Sequence, residues 1–173
     1  VGVRPQAQLE RREWEPRDAG GRPLCWAPTP ESKPLCPTSV YAVTKRDHEE
    51  LFLAVGAAYR IPTVALRYFN VYGPRQALSN PYTGVAAIFC SRLLNGRRPL
   101  VFEDGAQSRD FVHVRDVARA NLSALVCRAD EGRAFNVGTG RATSVRRVAE
   151  LLAERLDVDL EPELSDQFRA GDI

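Results

Sequence analysis

Helical and strand-like patterns alternate from Ser39 to the end of the chain, and this alternation constrains the fold more than any other feature. Apolar residues recur at helical spacing over residues 39–59, and the apolar, β-branched and aromatic run 63–69 predicts a buried strand. Further helices are predicted over residues 84–95, 114–127 and 144–156, the last capped by Thr143 or Ser144, and further strands over 100–102 and 134–137. Helices that alternate with short apolar strands indicate an α/β fold.

Residues 1–38 do not share this pattern. They hold seven prolines and three glycines, with charged residues between them, so no helical or strand period survives. We interpret this segment as a loop or an insertion. The chain contains no methionine, even at position 1, and stops abruptly after residues 168–173. These two features lead us to expect a fragment of a longer protein.

The charge balance and the rare residue types exclude several classes of function. A net charge of +2, from 24 basic and 22 acidic side chains, creates no field that would attract nucleic acid or an anionic membrane. The sequence has no apolar run long enough to span a membrane and no secretion signal, so we expect a cytoplasmic protein. His48 and His113 lack the spacing to cysteines or acids that a zinc site needs, so no metal is expected.

Tyr41 and Lys45 are four residues apart on the first predicted helix, so both project from one face, one turn apart. The pKa of a free tyrosine is about 10, and a nearby cation lowers that pKa by stabilising the phenolate. Such a tyrosine can accept a proton from a sugar hydroxyl while hydride leaves the same carbon. The alternative for these residues alone is an ordinary exposed pair on an amphipathic helix.

Four separated motifs carry a resemblance that covers the chain from about Ser39 to Ile173. They are Tyr41–Lys45, Leu66–Pro74, Ser108–Val114, and Phe135–Gly138 together with Arg169–Asp172. In this order they resemble the NAD-dependent epimerase/dehydratase family of the extended short-chain dehydrogenases/reductases.

The resemblance implies a fold and a division into domains. The fold would be the C-terminal part of a Rossmann-like doubly wound sheet, with a small α/β substrate-binding lobe. Residues 39–79 would close the NAD-binding domain, and 80–173 would form mainly the substrate-binding lobe, with 108–140 returning to the Rossmann domain. Residues 1–38 would be the loop or insertion remnant.

The resemblance also implies the residues that act on the cofactor, NAD. Tyr41 corresponds to the catalytic base. Lys45 corresponds to the residue that holds the nicotinamide ribose and tunes the tyrosine. Tyr68 corresponds to a residue that lies against the nicotinamide, at the C-terminal end of a strand, where ligands bind in open α/β sheets.

Further residues correspond to contacts with the sugar nucleotide. Asn70 matches a residue that reaches the diphosphate, and Arg109 and Arg169 match diphosphate and nucleotide contacts, for which a guanidinium with paired donors is suited. Asp172 matches an acid that binds the nucleotide ribose. Phe102 matches a strand segment that packs on the base, although a core position is the alternative.

Three polar residues near these motifs have structural interpretations. Asp110 or Asp116 would cap a helix or pair with Arg109 or Arg115. His113, at the entry to a predicted helix, is interpreted as structural.

Two features of the family are missing from these residues. No Gly-rich turn follows a first strand to hold the pyrophosphate, and Gly138-Thr139-Gly140 comes too late in the chain to serve as that turn. The family also places a Ser or Thr about two dozen residues before the Tyr, whereas no Ser or Thr precedes Thr29 here. We therefore expect weak NAD binding by this chain alone.

For the parent enzyme, the resemblance implies NAD-dependent epimerisation of a uridine- or thymidine-linked sugar at C4, through a 4-keto intermediate, by a homodimer. Val71 follows Asn70, where 4,6-dehydratases commonly have a second Asn, and this favours an epimerase. A nucleotide-sugar 4,6-dehydratase and a non-catalytic truncated remnant remain the alternatives.

Overall fold

The computed structural model of the chain describes residues 4–77, 83–127 and 132–168. Within these ranges the helices and strands alternate, and the elements are α1 (Gln6–Glu10), α2 (Val40–Tyr59), β1 (Val64–Tyr68), β2 (Asn70–Tyr72), α3 (Val85–Leu94), β3 (Leu100–Val101), β4 (Ser108–His113), α4 (Val114–Val126), β5 (Arg133–Val137), β6 (Ala142–Ser144), α5 (Val145–Leu156) and β7 (Glu163–Leu164). The pairs β1–β5, β2–β4 and β3–β7 are parallel, and parallel strands that alternate with helices confirm the predicted α/β class. None of the helices in the described ranges is both long and apolar enough to cross a membrane.

The predicted helices and apolar strands are present, with ends that differ by one or two residues, as α2 to α5 and as β1, β3 and β5. The strands that sequence reasoning missed are β2, β4, β6 and β7, of which three contain only two or three residues. The longer β4 carries Arg109 and Asp110 and therefore lacks an apolar run. Whether a short or polar segment forms a strand depends on the strand with which it pairs, and a local sequence pattern gives no information on that partner.

The chain divides into two units. Among the described residues, Pro28–Pro74 and Asp110–Arg141 form one, here named the Tyr41 unit. The residues up to Ala27, those from Arg75 to Arg109 and those from Ala142 onward form the other, named the Phe102 unit.

Parallel strand pairs and the long helix α2 build the Tyr41 unit. β1 pairs with β5 from Val64↔Arg133 to Tyr68↔Val137, and β2 pairs with the last three residues of β4. Near its C-terminal end α2 buries Gly56, where an added Cβ would lie 2.2 Å from the Thr63 hydroxyl oxygen. The absence of a side chain at Gly56 therefore lets α2 approach the start of β1 closely.

We expect Gly56→Ala to destabilise the Tyr41 unit by about 1–3 kcal/mol, because the new methyl group must displace Thr63. Helix propensity alone would favour alanine by about 1 kcal/mol. Urea unfolding followed by far-UV circular dichroism measures the difference. The control is Ala57→Gly at the neighbouring, exposed position, which should lose about 1 kcal/mol from propensity alone. A Gly56→Ala variant more stable than the wild type would contradict the close approach.

A small apolar core holds the Phe102 unit together. Phe89, Val101, Val145 and Ala149 are buried in it, and Val85, Val148 and Leu152 pack against them. β3 pairs in parallel with β7. Ser144, one of the two caps considered, begins α5, because its hydroxyl oxygen accepts a hydrogen bond from the Arg147 N–H at 3.1 Å.

The N-terminal segment differs from the loop expected over residues 1–38. Gln6–Glu10 is helical and Leu9 is buried in the Phe102 unit. The Arg4 guanidinium donates to both carboxylate oxygens of the buried Glu103, at 2.9 and 2.8 Å, and to the Trp14 carbonyl. The local sequence pattern did not predict that this segment folds, because Glu103, the partner of Arg4, lies 99 residues away along the chain.

Candidate active site

Tyr41 and Lys45 lie together on the first two turns of α2. The helix begins at Val40 because the Ser39 hydroxyl oxygen accepts a hydrogen bond from the Ala42 N–H at 3.1 Å, as an N-cap does. The Lys45 ammonium lies 5.4 Å from the centre of the Tyr41 ring, within the range of a cation–π contact. Tyr41 is half exposed and Lys45 is exposed, so both are open to a ligand. The sequence-based prediction of one shared helix face is confirmed.

Tyr68 and Asn70 lie where β1 ends and β2 begins, on either side of Phe69. The Tyr68 hydroxyl donates to the Asn121 side-chain oxygen on α4 at 2.9 Å. Asn121 in turn donates to the Val117 carbonyl at 2.7 Å, which fixes the amide. Tyr68 is thus at the C-terminal end of β1, the end at which open α/β sheets bind ligands, and Asn70 follows it as the first residue of β2.

Asn121 is a residue that sequence reasoning missed. It follows the buried Val117 by one helical turn, so a polar amide interrupts the apolar face of α4. A cavity of about 590 Å³ opens beside it, lined by Tyr68, Leu66 and Leu125 among others. The polar residue on an apolar helix face was the signal that could have identified Asn121.

Asp110 forms no ion pair with Arg109 or Arg115, the partners that one interpretation gave it. Its carboxylate accepts hydrogen bonds from the N–H groups of Thr139 and Gly140 and from the Thr139 hydroxyl, at 2.7–2.9 Å. The loop after β5 is thereby attached to β4. These N–H groups already bind a carboxylate of the protein itself, which agrees with the prediction that Gly138-Thr139-Gly140 is not a phosphate loop.

His113 and Asp116 are the other two residues for which a structural role was predicted. His113 is the N-cap of α4, since its Nδ1 accepts from the Arg115 N–H at 3.2 Å, and its ring lies edge-on to Tyr72. The structural role of His113 is therefore confirmed. Asp116 pairs with Arg119, one turn further along the helix, and not with Arg115.

The remaining predicted site residues belong to the Phe102 unit or lie outside the described ranges. Phe102 is half buried and follows the fully buried Val101, and it is not one of the buried core residues. The exposed Arg109 donates to the Ser108 carbonyl at 2.8 Å. Arg169 and Asp172 lie outside the described residues.

An ion pair joins α2 to β1 one turn beyond Lys45, between Glu49 and Arg67. Arg67 donates from Nε and Nη2 to the two carboxylate oxygens of Glu49, at 2.7 and 2.6 Å. These hydrogen bonds, opposed by partial burial, lower the pKa of the Glu49 carboxyl, and Glu49 raises the pKa of the Arg67 guanidinium. Sequence reasoning stopped at Tyr41 and Lys45, although Glu49 continues the same four-residue spacing.

The lowered pKa of Glu49 predicts a pH-dependent contribution to stability. A carboxyl whose pKa is lower when folded stabilises the fold fully above its unfolded pKa, about 4.3, and loses that contribution as the pH falls through the folded value. We expect Glu49→Gln to cost about 1.5–3 kcal/mol at pH 7 and progressively less below about pH 4. Urea midpoints at a series of pH values test this; a difference between the two proteins that stays constant with pH would contradict it.

Comparison with known proteins identifies the family. The model of the NAD dependent epimerase/dehydratase family matches residues 23–138. A dTDP-L-rhamnose 4-epimerase of Burkholderia thailandensis is 38% identical over 173 residues, which cover 99% of this chain and 46% of the relative. The chain thus spans about half the length of the relatives it matches.

Two solved structures of UDP-glucose 4-epimerases share the fold. The enzyme of Thermotoga maritima, solved with UDP-glucose, superposes with a TM-score of 0.79 at 39% identity, over 87% of this chain and 47% of that one. The enzyme of Thermus thermophilus, solved with NAD, superposes with a TM-score of 0.65 at 32% identity, over 87% and 45%. These similarities confirm the Rossmann-like α/β class. With the family model matching more than half of its residues, the chain belongs to the NAD-dependent epimerase/dehydratase family.

Proposed function

We propose that this chain carries the tyrosine–lysine half of the active site of an NAD-dependent nucleotide-sugar 4-epimerase. The observation that carries the proposal is the contact between the Lys45 ammonium and the Tyr41 ring on one open helix face. Tyr68, at the C-terminal end of β1, and Asn70, two residues later, belong to the same part of the active site. The relatives named above act on nucleotide sugars, and their epimerase activity supports the same reaction class here.

In this proposal Tyr41 exchanges a proton with the sugar. Its phenolic oxygen takes the proton of the C4 hydroxyl as hydride leaves C4, and it returns the proton when the resulting 4-keto sugar is reduced on its other face. NAD, when bound, supplies the acceptor and donor of that hydride. Lys45 holds the nicotinamide ribose and Tyr68 lies against the nicotinamide. The hydrogen bond from Tyr68 to Asn121 supports this role, since it limits the freedom of the ring.

The fit to NAD is limited to the nicotinamide end of the cofactor. The Gly-rich turn that binds the pyrophosphate does not occur in these 173 residues, and the N–H groups of Thr139 and Gly140 are bound by Asp110. We therefore assign the Tyr41 unit to the C-terminal part of an NAD-binding domain whose remainder lies in the longer protein. Apolar side chains on α4 support this assignment, because Leu122, Leu125 and Val126 are 64–81% exposed.

The Phe102 unit would bind the nucleotide part of a uridine- or thymidine-linked substrate. Phe102 packs on the base, Arg109 and Arg169 bind the phosphates, and Asp172 binds the ribose. Asn70 of the Tyr41 unit reaches the diphosphate. The partial exposure of Phe102 supports the proposal, since a partly exposed aromatic ring can contact a base.

We further propose that the complete enzyme is a homodimer. Leu51, Phe52 and Tyr59 are exposed by 58–75% along α2, and exposed apolar side chains in this number favour burial against a partner.

A chimera tests the proposed activity. The part of the Burkholderia thailandensis epimerase that this chain does not cover is joined to this chain in the order of the relative, which restores a complete NAD-binding domain. We expect the chimera to interconvert C4 epimers of a thymidine- or uridine-linked sugar. A folded chimera that binds NAD and the sugar nucleotide without epimerising it would contradict the proposal and favour the non-catalytic alternative.

A further inference from the structure

Three residues at four-residue intervals share one face of α2. Tyr41, Lys45 and Glu49 follow each other by one turn. The proposed function uses the first two and leaves Glu49 without a role. Glu49 is bound to the sheet through the ion pair with Arg67.

The geometry of the pair suits it to fix a position. Two parallel N–H to oxygen contacts of 2.7 and 2.6 Å join a planar guanidinium to a planar carboxylate, so the pair restrains both distance and orientation. The two side chains are only 24% and 16% exposed, which limits competition from water. A single ammonium in place of the guanidinium would restrain the distance but not the orientation.

Arg67 is itself firmly held in the sheet. It lies within β1, opposite Asn136 of β5, and is the residue immediately before Tyr68. Its Nη1 also donates to the Glu31 carbonyl at 2.9 Å. The Glu31 carboxylate accepts from the Asn136 N–H at 3.0 Å, so both strands anchor the segment on which Arg67 rests.

Glu49 is closer to Tyr41 along α2 than Gly56, whose contact with Thr63 was described above. Gly56 is 15 residues from Tyr41, or about 22 Å along a helix, whereas Glu49 is 8 residues away, or about 12 Å. Without the ion pair of Glu49, the distance along α2 from Tyr41 to the contact at Gly56 would be the relevant one. Small rotations of the helix would then move Tyr41 by a larger distance.

We propose that Glu49 is a positioning residue, whose ion pair with Arg67 sets the location of the Tyr41–Lys45 face relative to the strand end that carries Tyr68 and Asn70. The proposal rests on the proposed function for the roles of those four residues. Glu49 itself makes no contact with the reacting groups and acts through α2.

Fluorine NMR of the 173-residue chain with 3-fluorotyrosine tests the positioning without any need for turnover. Single Tyr→Phe variants assign the signals. We expect Glu49→Gln to shift or broaden the Tyr41 and Tyr68 signals by more than their linewidths. Tyr59, beyond the contact at Gly56, should keep its signal. The matched control is Glu50→Gln, which removes an exposed partner of Arg46 on the same helix and should leave all signals in place.

Each outcome of this experiment decides for or against the proposal. Restored signals in the charge-swapped variant Glu49→Arg/Arg67→Glu would support it. A lower unfolding temperature with unchanged Tyr41 and Tyr68 signals would overturn it, because Glu49 would then only stabilise the fold. If Glu49→Gln does not fold, Arg67→Lys replaces it, and unchanged tyrosine signals in that folded variant would overturn the proposal equally.

The chimera supplies a second measurement that separates positioning from binding. A displacement of Tyr41 by about 1 Å lowers turnover by about 10²-fold. We expect Glu49→Gln to lower kcat on this scale while KM for the sugar nucleotide changes little. An unchanged kcat would contradict the proposal, whereas a chimera inactive with Glu49 intact would count against the proposed function and leave the NMR result to decide on positioning.

Discussion

Replacing Tyr41 by phenylalanine is expected to lower kcat of the chimeric epimerase by about 10²–10⁴-fold. The substitution removes one oxygen atom, the proposed proton acceptor, and keeps the ring beside Lys45. KM for the sugar nucleotide should change little, because the proposed nucleotide contacts lie elsewhere. Initial rates at saturating substrate, with the NAD content of each preparation measured, give the comparison.

The control for this substitution is Tyr59→Phe. Tyr59 is the last residue of the same helix and is 75% exposed, so it loses the same oxygen without a proposed role in catalysis. Its kcat should match that of the unmodified chimera. A Tyr41→Phe variant that retains kcat within a factor of about three, a loss far below the range for general base catalysis, would remove Tyr41 from the mechanism.

Replacing Arg4 by methionine is expected to destabilise the Phe102 unit by about 3–5 kcal/mol. Glu103 is 3% exposed and both of its carboxylate oxygens are bound by Arg4, so the substitution leaves a buried charge without its partner. Methionine keeps much of the apolar stem of arginine. Urea unfolding followed by tryptophan fluorescence reports on this unit, because both tryptophans, Trp14 and Trp26, belong to it.

The double variant Arg4→Met/Glu103→Gln distinguishes the cost of the unpaired charge from that of lost packing. Removing both charges should recover a large part of the lost stability, because the free-energy effects of substitutions at two contacting residues are not additive. If Arg4→Met alone costs less than about 1 kcal/mol, the range of exposed ion pairs, the pair does not hold the N-terminal segment in place.

Local sequence patterns predicted the elements whose sequences carry a periodic or continuous apolar pattern. The helix from Val40 to Tyr59 follows from the helical spacing of its apolar residues, and the strand from Val64 to Tyr68 from its apolar, β-branched and aromatic run. Local patterns did not predict the strand β4 or the folding of the segment around Leu9, because both depend on partners far away along the chain. Physical contact across long sequence separations leaves no period in the sequence of either partner.

The candidate site shows the same limit. Tyr41 and Lys45 were predicted to share a helix face, because four-residue spacing alone determines this. The partners of Asp110 and Glu49 were not predicted, although both acids bind groups within the same unit as Tyr41. Spacing determines which residues share a face, whereas the packing of helix on strand determines which acid meets which donor.

The most direct test of the central claim follows the hydrogen on C4 of the sugar. A nucleotide sugar with deuterium at C4 is epimerised by the chimera in ordinary water, and the label in the product is measured by mass spectrometry and NMR. The proposed reaction predicts that C4 is inverted with the deuterium retained, and that Tyr41→Phe loses this product. Loss of the deuterium to water, or an unaffected rate in Tyr41→Phe, would contradict the claim.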